Sequence, residues 1–355
     1  HSSAIICFAV GVLTCLLCVF FAEPMLQMLN TKEEFLPGAV LYLKLFAIGL
    51  PGMGLYNCGN GILSATGDTK RPLIYLAVAG VLNVILNLVF VIGCNMSAEG
   101  VAIASAIAQW VSALLILAHL LRRKDACRLE VRKLRLHRMA SKRVLMIGIP
   151  SGLQNAIFAV ANLFVQAGLN SFDEITVSGA AAAANADTLV FNILAAFYTA
   201  CASFVSRNWG AGNKERITKT YLISMFYAFA VGSICGGLLL VFGRQFLGLF
   251  ADKPEVIDAG MDRLRIMAFS YGFGSLMDAS IAASRGIGKS IIPTFMVIMG
   301  SCVFRVIWIY TVFAYFHTVP SLYLLYIFSW VITGIAECIY FRYAYKKFVL
   351  KAQVW

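Results

Sequence analysis

Ten stretches of about 20 mostly apolar residues divide this chain, and each is long enough to cross a lipid bilayer as a helix. Backbone amides in lipid have to be hydrogen-bonded within the spanning segment, and the stretches lack the alternating pattern of a β-barrel, so helices are the predicted form. Residues of the AVILMFWYC type make up 60% of the sequence and charged residues 13%. This composition excludes an ordinary soluble enzyme, in which about a quarter of the residues are charged. The predicted spans are residues 4–22, 45–66, 72–98, 100–121, 144–172, 175–206, 220–243, 266–284, 290–316 and 318–341.

The positions of the basic residues predict how these spans are oriented. Cytoplasmic loops of membrane proteins carry an excess of lysine and arginine. If the segment 122–143, which holds ten such residues, is cytoplasmic, alternation along the chain assigns 22 of the 29 basic residues to inner loops. Only Lys32, Arg244 and Lys253 then fall in outer loops. We therefore expect a multi-pass protein of the cell membrane with both chain ends in the cytoplasm. The net charge of +12 faces anionic lipid, and no nucleic-acid partner is expected.

A shift of 221 residues aligns one half of the sequence with the other, matching Gly67 with Gly288 and Pro72 with Pro293. Six predicted spans follow the basic segment but four precede it, so we expect a parent protein of twelve spans, of which this chain holds ten. The predicted fold is an all-α polytopic membrane protein with two pseudo-symmetric helical lobes, related by an axis along the membrane normal. Its predicted parts are the remainder of the first lobe (1–121), a basic cytoplasmic linker (122–143), the second lobe (144–345) and a cytoplasmic tail (346–355).

Several motifs, met in a fixed order, give the chain a resemblance to a known family. They are GILSATGDTKRP at 61–72, VLNVILN at 81–87, GVAIAS at 100–105, GIP at 148–150, VSRNWGAGN at 205–213 and RGIG at 285–288. Together they resemble the multidrug and toxic compound extrusion (MATE) family, from the third span of that family to its twelfth. The resemblance implies an antiporter that exports small amphipathic organic cations in exchange for H⁺ or Na⁺, by alternating access of its two lobes. We expect a monomer with no cofactor and no bound metal other than a coupling Na⁺. Its only expected partners are its substrates and membrane lipid.

Three acidic residues, Asp187, Asp278 and Glu337, lie within predicted spans of the second lobe. A charge at the centre of a membrane helix costs about 2.5–3.5 kcal/mol, so such residues are candidates for function. Asp187 and Asp278 fall near mid-depth, and one or the other is predicted to bind the coupling cation, whereas Glu337 is closer to the cytoplasmic end, within reach of water. The alternative for an acid at mid-depth is a structural ion pair with Arg305, the only basic residue predicted at that depth.

Uncharged polar residues complete the candidate set. In the first lobe, Asn83 and Asn87 are four residues apart and share a helix face. The resemblance places them, with Ser105, at a cation site of some family members, and hydrogen bonding between helices is the alternative. The residues predicted to line the cleft are Asn57, Gln154, Asn155, Asn192 and Arg305.

Two other functions stay open at this stage. A lipid-linked saccharide flippase of the same superfamily would need a cationic cleft, and Arg305 is the only basic residue available for one. A membrane-embedded enzyme would need carboxylates or histidines clustered near one interface, and the acids within the predicted spans are scattered. We therefore expect a transporter with no catalytic residues.

Overall fold

The computed structural model describes residues 1–28 and 33–350, and these residues form helices joined by loops, with no β-strand among them. The all-helical prediction is confirmed. Lys32 and Lys351, assigned above to an outer and an inner loop, lie outside the described residues, as do the last five residues of the predicted tail. The main helices are α1 (Ser2–Met28), α2 (Leu36–Ala47), α3 (Leu50–Ala65), α4 (Lys70–Gly93), α5 (Ala98–Arg122), α6 (Arg138–Leu169), α7 (Glu174–Gly210), α8 (Lys214–Leu247), α9 (Pro254–Gly286), α10 (Ile291–Phe316) and α11 (Val319–Leu350).

The structure does not confirm the predicted count of ten membrane spans. Among the described residues, eight helices are long and apolar enough to cross a membrane, or nine if α2 and α3, which meet at an angle of 42°, form one broken span. The predicted span 266–284 belongs to the 33-residue helix α9, which is not among these candidates because its residues are on average too polar. The membrane fold is confirmed, and the count of ten is not.

The chain divides into two compact units, residues 1–144 and 145–355. The basic segment is attached to the first unit, where Ser2 donates a hydrogen bond to the carbonyl of Arg135 at 3.2 Å and accepts one from the N–H of His137 at 3.0 Å. In the second unit α9 packs against α7, α8 and α11, and 19 of its residues are buried. Because protein covers more than half of α9, the polar side chains on its buried face are shielded from lipid, which explains how such a sequence is tolerated.

The two loops matched by the 221-residue shift have the same backbone geometry. Gly67 and Gly288 both have positive φ, 93° and 78°, a conformation open to glycine because it lacks a Cβ. In each loop the residue after the glycine donates its N–H to the carbonyl four residues before the glycine, at 2.9 Å in both cases. This is the Schellman helix end, and Pro72 and Pro293 follow as the third residues of α4 and α10. The internal repeat predicted from the sequence is therefore confirmed at these two loops, which share the same backbone hydrogen bond.

Candidate functional site

A cavity of about 380 Å³ lies in the second unit among α6, α7, α9, α10 and α11. Its volume falls in the range of ligand pockets, about 300–1,000 Å³. Two acids and two arginines share its wall with aromatic and apolar side chains. The lining residues are Phe158, Asn162, Ala184, Asp187, Thr188, Phe191, Leu194, Arg263, Met267, Gly274, Met277, Asp278, Arg305, Tyr326 and Trp330.

Asp187, on α7, is the centre of a closed hydrogen-bond network. One of its carboxylate oxygens accepts from the guanidinium of Arg263 and the other from the hydroxyl of Tyr271, both on α9. Arg263 also donates to the carbonyl of Ala180 at 2.9 Å. The side chains of Asp187 and Arg263 are 7% and 13% exposed, so the two charges compensate each other away from water.

The ion pair with Arg263 replaces Arg305, which the sequence analysis considered as the partner of Asp187. Arg305 was taken as the only basic residue at mid-depth because the predicted span 266–284 left Arg263 outside. In the structure α9 begins at Pro254, so Arg263 lies within the helix and reaches Asp187 on α7. An ion pair between Asp187 and Arg305 is therefore wrong.

Arg305, on α10, is buried in an aromatic cage. It is 2% exposed, and its Nη1 donates to Oδ1 of Asn162 at 3.0 Å. The guanidinium carbon lies 4.5 Å from the ring centroid of Tyr326, 5.2 Å from that of Phe158 and 5.8 Å from that of Trp330. These cation–π contacts stabilise the charge, but Nε and Nη2 have no hydrogen-bond acceptor among the described residues.

The backbone of α10 is irregular on both sides of Arg305. The helix is π-helical over Ile298–Val303 and again over Ile309–Phe313, with Arg305 on the short α-helical segment between them. A π segment places an extra residue in a helical turn and so redirects the side chains that follow it. Such segments occur frequently at functional sites.

Asp278, on α9, differs from Asp187 because its carboxylate is unpaired. It is half-buried and lines the cavity. It makes no hydrogen bond or ion pair with any residue that the structure describes. On the same cavity wall, the rings of Phe191 and Trp330 meet edge to face with their centroids 5.8 Å apart. A carboxylate with free oxygens can accept a proton or a cation that enters such a cavity.

Gln154 belongs to a separate hydrogen-bond cluster at the end of α9. Arg285 donates to Oε1 of Gln154 at 2.9 Å, to the hydroxyl of Tyr198 at 2.6 Å and to Oγ1 of Thr294 at 3.3 Å. Gln154 is 7% exposed and does not line the cavity. Its side chain is therefore used in a contact within the second unit.

The remaining candidates lie apart from the cavity. The side chains of Asn57, Asn155 and Asn192 are exposed. Glu337, on α11, is 0% exposed, and neither of its carboxylate oxygens has a partner among the described residues. The expectation that Glu337 reaches water is wrong, because position along a helix does not reveal which of its faces is covered by protein.

In the first unit the structure brings the predicted polar residues together. Nδ2 of Asn87 donates to Oδ1 of Asn83 at 3.2 Å, and Nδ2 of Asn83 donates to Oγ of Ser105 at 3.4 Å. Asn83 and Ser105 line a pocket of about 300 Å³ between α4 and α5 with Gln109 and Ser112. Every polar side chain of this group is uncharged. We call these residues, Asn83, Asn87 and Ser105, the amide cluster.

Sequence reasoning missed part of the cavity wall, although a signal for it was present. Arg263, Met267, Tyr271, Gly274 and Asp278 follow one another at intervals of four, four, three and four residues, which places them on one face of α9. Four of the five line the cavity, and the fifth, Tyr271, donates to the Asp187 carboxylate. Applying the helical period to the polar as well as the apolar residues would have placed Arg263 and Asp278 on the same face of α9.

Comparisons with known proteins agree with this architecture. A solved structure of a multidrug resistance MATE family transporter of the MOP superfamily, in an outward-facing conformation, superposes with a TM-score of 0.89. The superposition covers 99% of this chain and 78% of the other, at 20% sequence identity. At that identity the similarity shows the fold.

Curated relatives share less of their length with this chain. A probable multidrug resistance protein, YpnP of Bacillus subtilis (strain 168), is 28% identical over 258 residues, which are 72% of this chain and 57% of that protein. An FAD transporter of Shewanella oneidensis is 26% identical over 258 residues, 71% of this chain and 57% of that protein. The chain therefore matches less than two thirds of the length of these relatives. The MatE family model matches residues 1–89 and 150–311, well over half of the chain, and the chain therefore belongs to the MatE family.

Proposed function

We propose that this protein is a secondary transporter that exports small amphipathic molecules, organic cations among them, in exchange for H⁺ or Na⁺. The names of the relatives, a probable multidrug resistance protein, an FAD transporter and a multidrug export protein, support transport of small molecules, with export of drugs among its forms. The observation that carries the coupling part of the proposal is the Asp278 carboxylate, which lines an aromatic cavity and makes no hydrogen bond or ion pair with the described residues. Alternating access of two lobes would expose this carboxylate to each side of the membrane in turn.

Asp278 is a better coupling site than Asp187 on geometric grounds. The Asp187 carboxylate already accepts hydrogen bonds from Arg263 and Tyr271, so an incoming cation would have to displace both donors. The Asp278 carboxylate offers its oxygens without that competition. We therefore assign the coupling cation to Asp278, and to Asp187 the role of joining α7 to α9.

The amide cluster suits Na⁺ but not H⁺. Amide and hydroxyl oxygens are ligands for hard cations, and they do not take up a proton near neutral pH. If Na⁺ is the coupling ion, the cluster is a second place for it to bind. If H⁺ is the coupling ion, the cluster serves as a contact between α4 and α5.

We propose the cell membrane as the location, with both chain ends in the cytoplasm. The support is the distribution of charge, because this orientation assigns 22 of the 29 basic residues to inner loops. The opposite orientation would place the ten basic residues of 122–143 outside the cell.

Two alternative functions are disfavoured by the charges of the cavity. A flippase for lipid-linked saccharides would need several unpaired cations to hold its phosphate groups, whereas Arg263 is paired with Asp187 and, among the described lining residues, Arg305 is the one basic residue without an acidic partner. An enzyme would need two free acids in one site, and of the two acids in this cavity Asp187 is already occupied by Arg263 and Tyr271.

The proposal is tested with the natural full-length protein in proteoliposomes that contain a fluorescent organic cation. Movement is measured under an imposed proton gradient without sodium, and then under a sodium gradient. We expect gradient-driven movement that Asp278→Asn reduces to background, because an amide cannot exchange a proton or supply a negative charge. The control is Asp258→Asn, whose side chain is 62% exposed and pairs with Arg244 away from the cavity. Normal movement in Asp278→Asn liposomes would remove Asp278 from the mechanism.

A further inference from the structure

The unpaired donors of Arg305 indicate a second ligand subsite in the cavity of the second unit. We infer that Arg305 binds an acidic group of the transported molecule, so that the substrates include aromatic amphiphiles with a carboxylate, sulfonate or phosphate group. This inference rests on the proposed function only in taking the cavity as the place where substrate binds.

The other charges of the cavity leave Arg305 available for a ligand. Arg263 is neutralised by Asp187, to which it donates a hydrogen bond within the unit. Asp278 lines the same cavity but forms no ion pair with Arg305. No carboxylate among the described residues therefore lies within bonding distance of the Arg305 guanidinium.

Nε and Nη2 of Arg305 lack hydrogen-bond acceptors that a ligand could supply. A guanidinium carries five N–H donors, and in Arg305 the Asn162 side chain is the only described acceptor, at Nη1. Buried donors without acceptors are destabilising and rare in native proteins. The planar Nε–Nη2 edge, which lacks an acceptor here, is the edge that binds carboxylate or phosphate through two parallel hydrogen bonds.

The surroundings of Arg305 define the rest of the ligand. Phe158, Tyr326 and Trp330 hold the guanidinium between aromatic faces, and Phe191 extends this wall across the cavity. A ligand with an aromatic ring next to its acidic group can stack on these side chains while it contacts Arg305. The carboxylate of Asp278 repels an anion placed beside it and so directs the acidic group toward Arg305.

The test compares two probes that differ only in the proposed group. Dansylglycine carries a carboxylate, and dansylglycinamide carries an uncharged amide in the same place. Their equilibrium binding to purified full-length protein in detergent, with no ion gradient, is followed by energy transfer from tryptophan to the dansyl group. We expect the acid to bind at least about tenfold more tightly than the amide, as for a hydrogen-bonded charge pair.

Three variants assign that preference to Arg305. Arg305→Met keeps an unbranched side chain without charge and should lose the preference for the acid while binding the amide as before. Arg305→Lys keeps the charge without the planar fork and should bind the acid several-fold more weakly than wild type. The control is Arg265→Met, because Arg265 is 67% exposed, pairs with Asp262 and does not line the cavity; it should keep the full preference.

Two outcomes would overturn the inference. Equal affinity of the wild type for both probes would show that no anion subsite exists, and this result needs no variant. An unchanged preference for the acid in Arg305→Met, or in Arg305→Lys if the methionine variant does not fold, would place the subsite elsewhere. Failure of gradient-driven transport would count against the coupling proposal alone, since binding is measured without a gradient.

Discussion

The two units carry matched helix turns but differ in the charge of the polar groups inside them. In the first unit Asn83, Asn87 and Ser105 are joined by hydrogen bonds of 3.2 and 3.4 Å between uncharged groups. In the second unit two acids and two arginines line one cavity. The shift of 221 residues pairs Asn57 of the first unit with Asp278 of the second, so an amide stands where the other unit has a carboxylate.

This difference predicts that the units depend on different interactions for stability. Removing one partner of a buried ion pair leaves an uncompensated charge and costs about 3–5 kcal/mol. A hydrogen bond between membrane helices averages about 0.6 kcal/mol, because the separated helices find other partners. Single substitutions in the two units should therefore have effects of different size.

The largest effect is expected for Asp187→Asn. The variant leaves the Arg263 guanidinium, 13% exposed, without its counter-charge and weakens the contact between α7 and α9. We expect the free energy of unfolding to fall by about 3–5 kcal/mol. The measurement is equilibrium unfolding of the purified protein in detergent, followed by circular dichroism.

Two further variants decide whether unpaired charge is the cause. Asp262→Asn breaks the exposed pair of Asp262 with Arg265, whose side chains are 60% and 67% exposed, and should have little effect on unfolding. The double variant Asp187→Asn with Arg263→Met removes both charges and should recover much of the lost stability. If the double variant is as unstable as Asp187→Asn, loss of packing and not unpaired charge explains the result.

The sequence predicts the fold of both units because fold here depends on local signals. Apolar length identifies most of the membrane helices, and the Gly67 and Gly288 loops appear in the sequence as a glycine with a proline five residues later. Those two loops have the same φ sign and the same hydrogen bond in the structure. The predicted span 266–284 in α9 is the one whose residues are too polar for apolar length to confirm it, because a helix largely covered by protein does not need an apolar surface.

The site is less predictable, because its contacts join residues far apart in the chain. Asp187 and Arg263 are 76 residues apart, and their pairing depends on how α7 packs on α9. Burial of Glu337 likewise depends on which helices cover that face of α11. The Asn83–Asn87 contact was predictable because the two residues lie four apart on one helix, where the helical period fixes their distance, whereas Ser105 was expected there only from the family resemblance.

A smaller effect is expected at close helix contacts, and here the two units should behave alike. A Cβ on Gly236 would lie 2.3 Å from the carbonyl oxygen of Ala268, and a Cβ on Gly11 would lie 2.6 Å from Cα of Pro51. Both clashes involve backbone atoms, so the helices have to separate. We expect Gly236→Ala and Gly11→Ala each to cost about 1–3 kcal/mol in unfolding experiments.

The matched control for this prediction is the next residue of α8. A Cβ on Gly237 has no neighbour within 4 Å, so Gly237→Ala should leave stability unchanged or raise it slightly. Equal destabilisation by Gly236→Ala and Gly237→Ala would mean that glycine is needed for backbone flexibility and not for close packing.

The smallest effect is expected for Asn83→Ala in the amide cluster. The substitution removes the acceptor of the Asn87 side chain and the donor to Ser105, but it leaves no charge unpaired. We expect a loss of about 1 kcal/mol in the free energy of unfolding, with Asn57→Ala as the control because the Asn57 side chain is exposed.

The way in which the stability difference between Asn83→Ala and wild type depends on pH and on sodium shows whether the amide cluster binds an ion. Neither asparagine nor serine titrates in the physiological range, so the stability difference between Asn83→Ala and wild type should stay constant across about pH 5 to 8. If the amide cluster holds Na⁺, the difference should instead grow as sodium is added, because only the wild type would gain free energy from binding the ion. A constant difference in both titrations would leave the cluster as a helix contact and would place ion coupling in the charged cavity of the second unit.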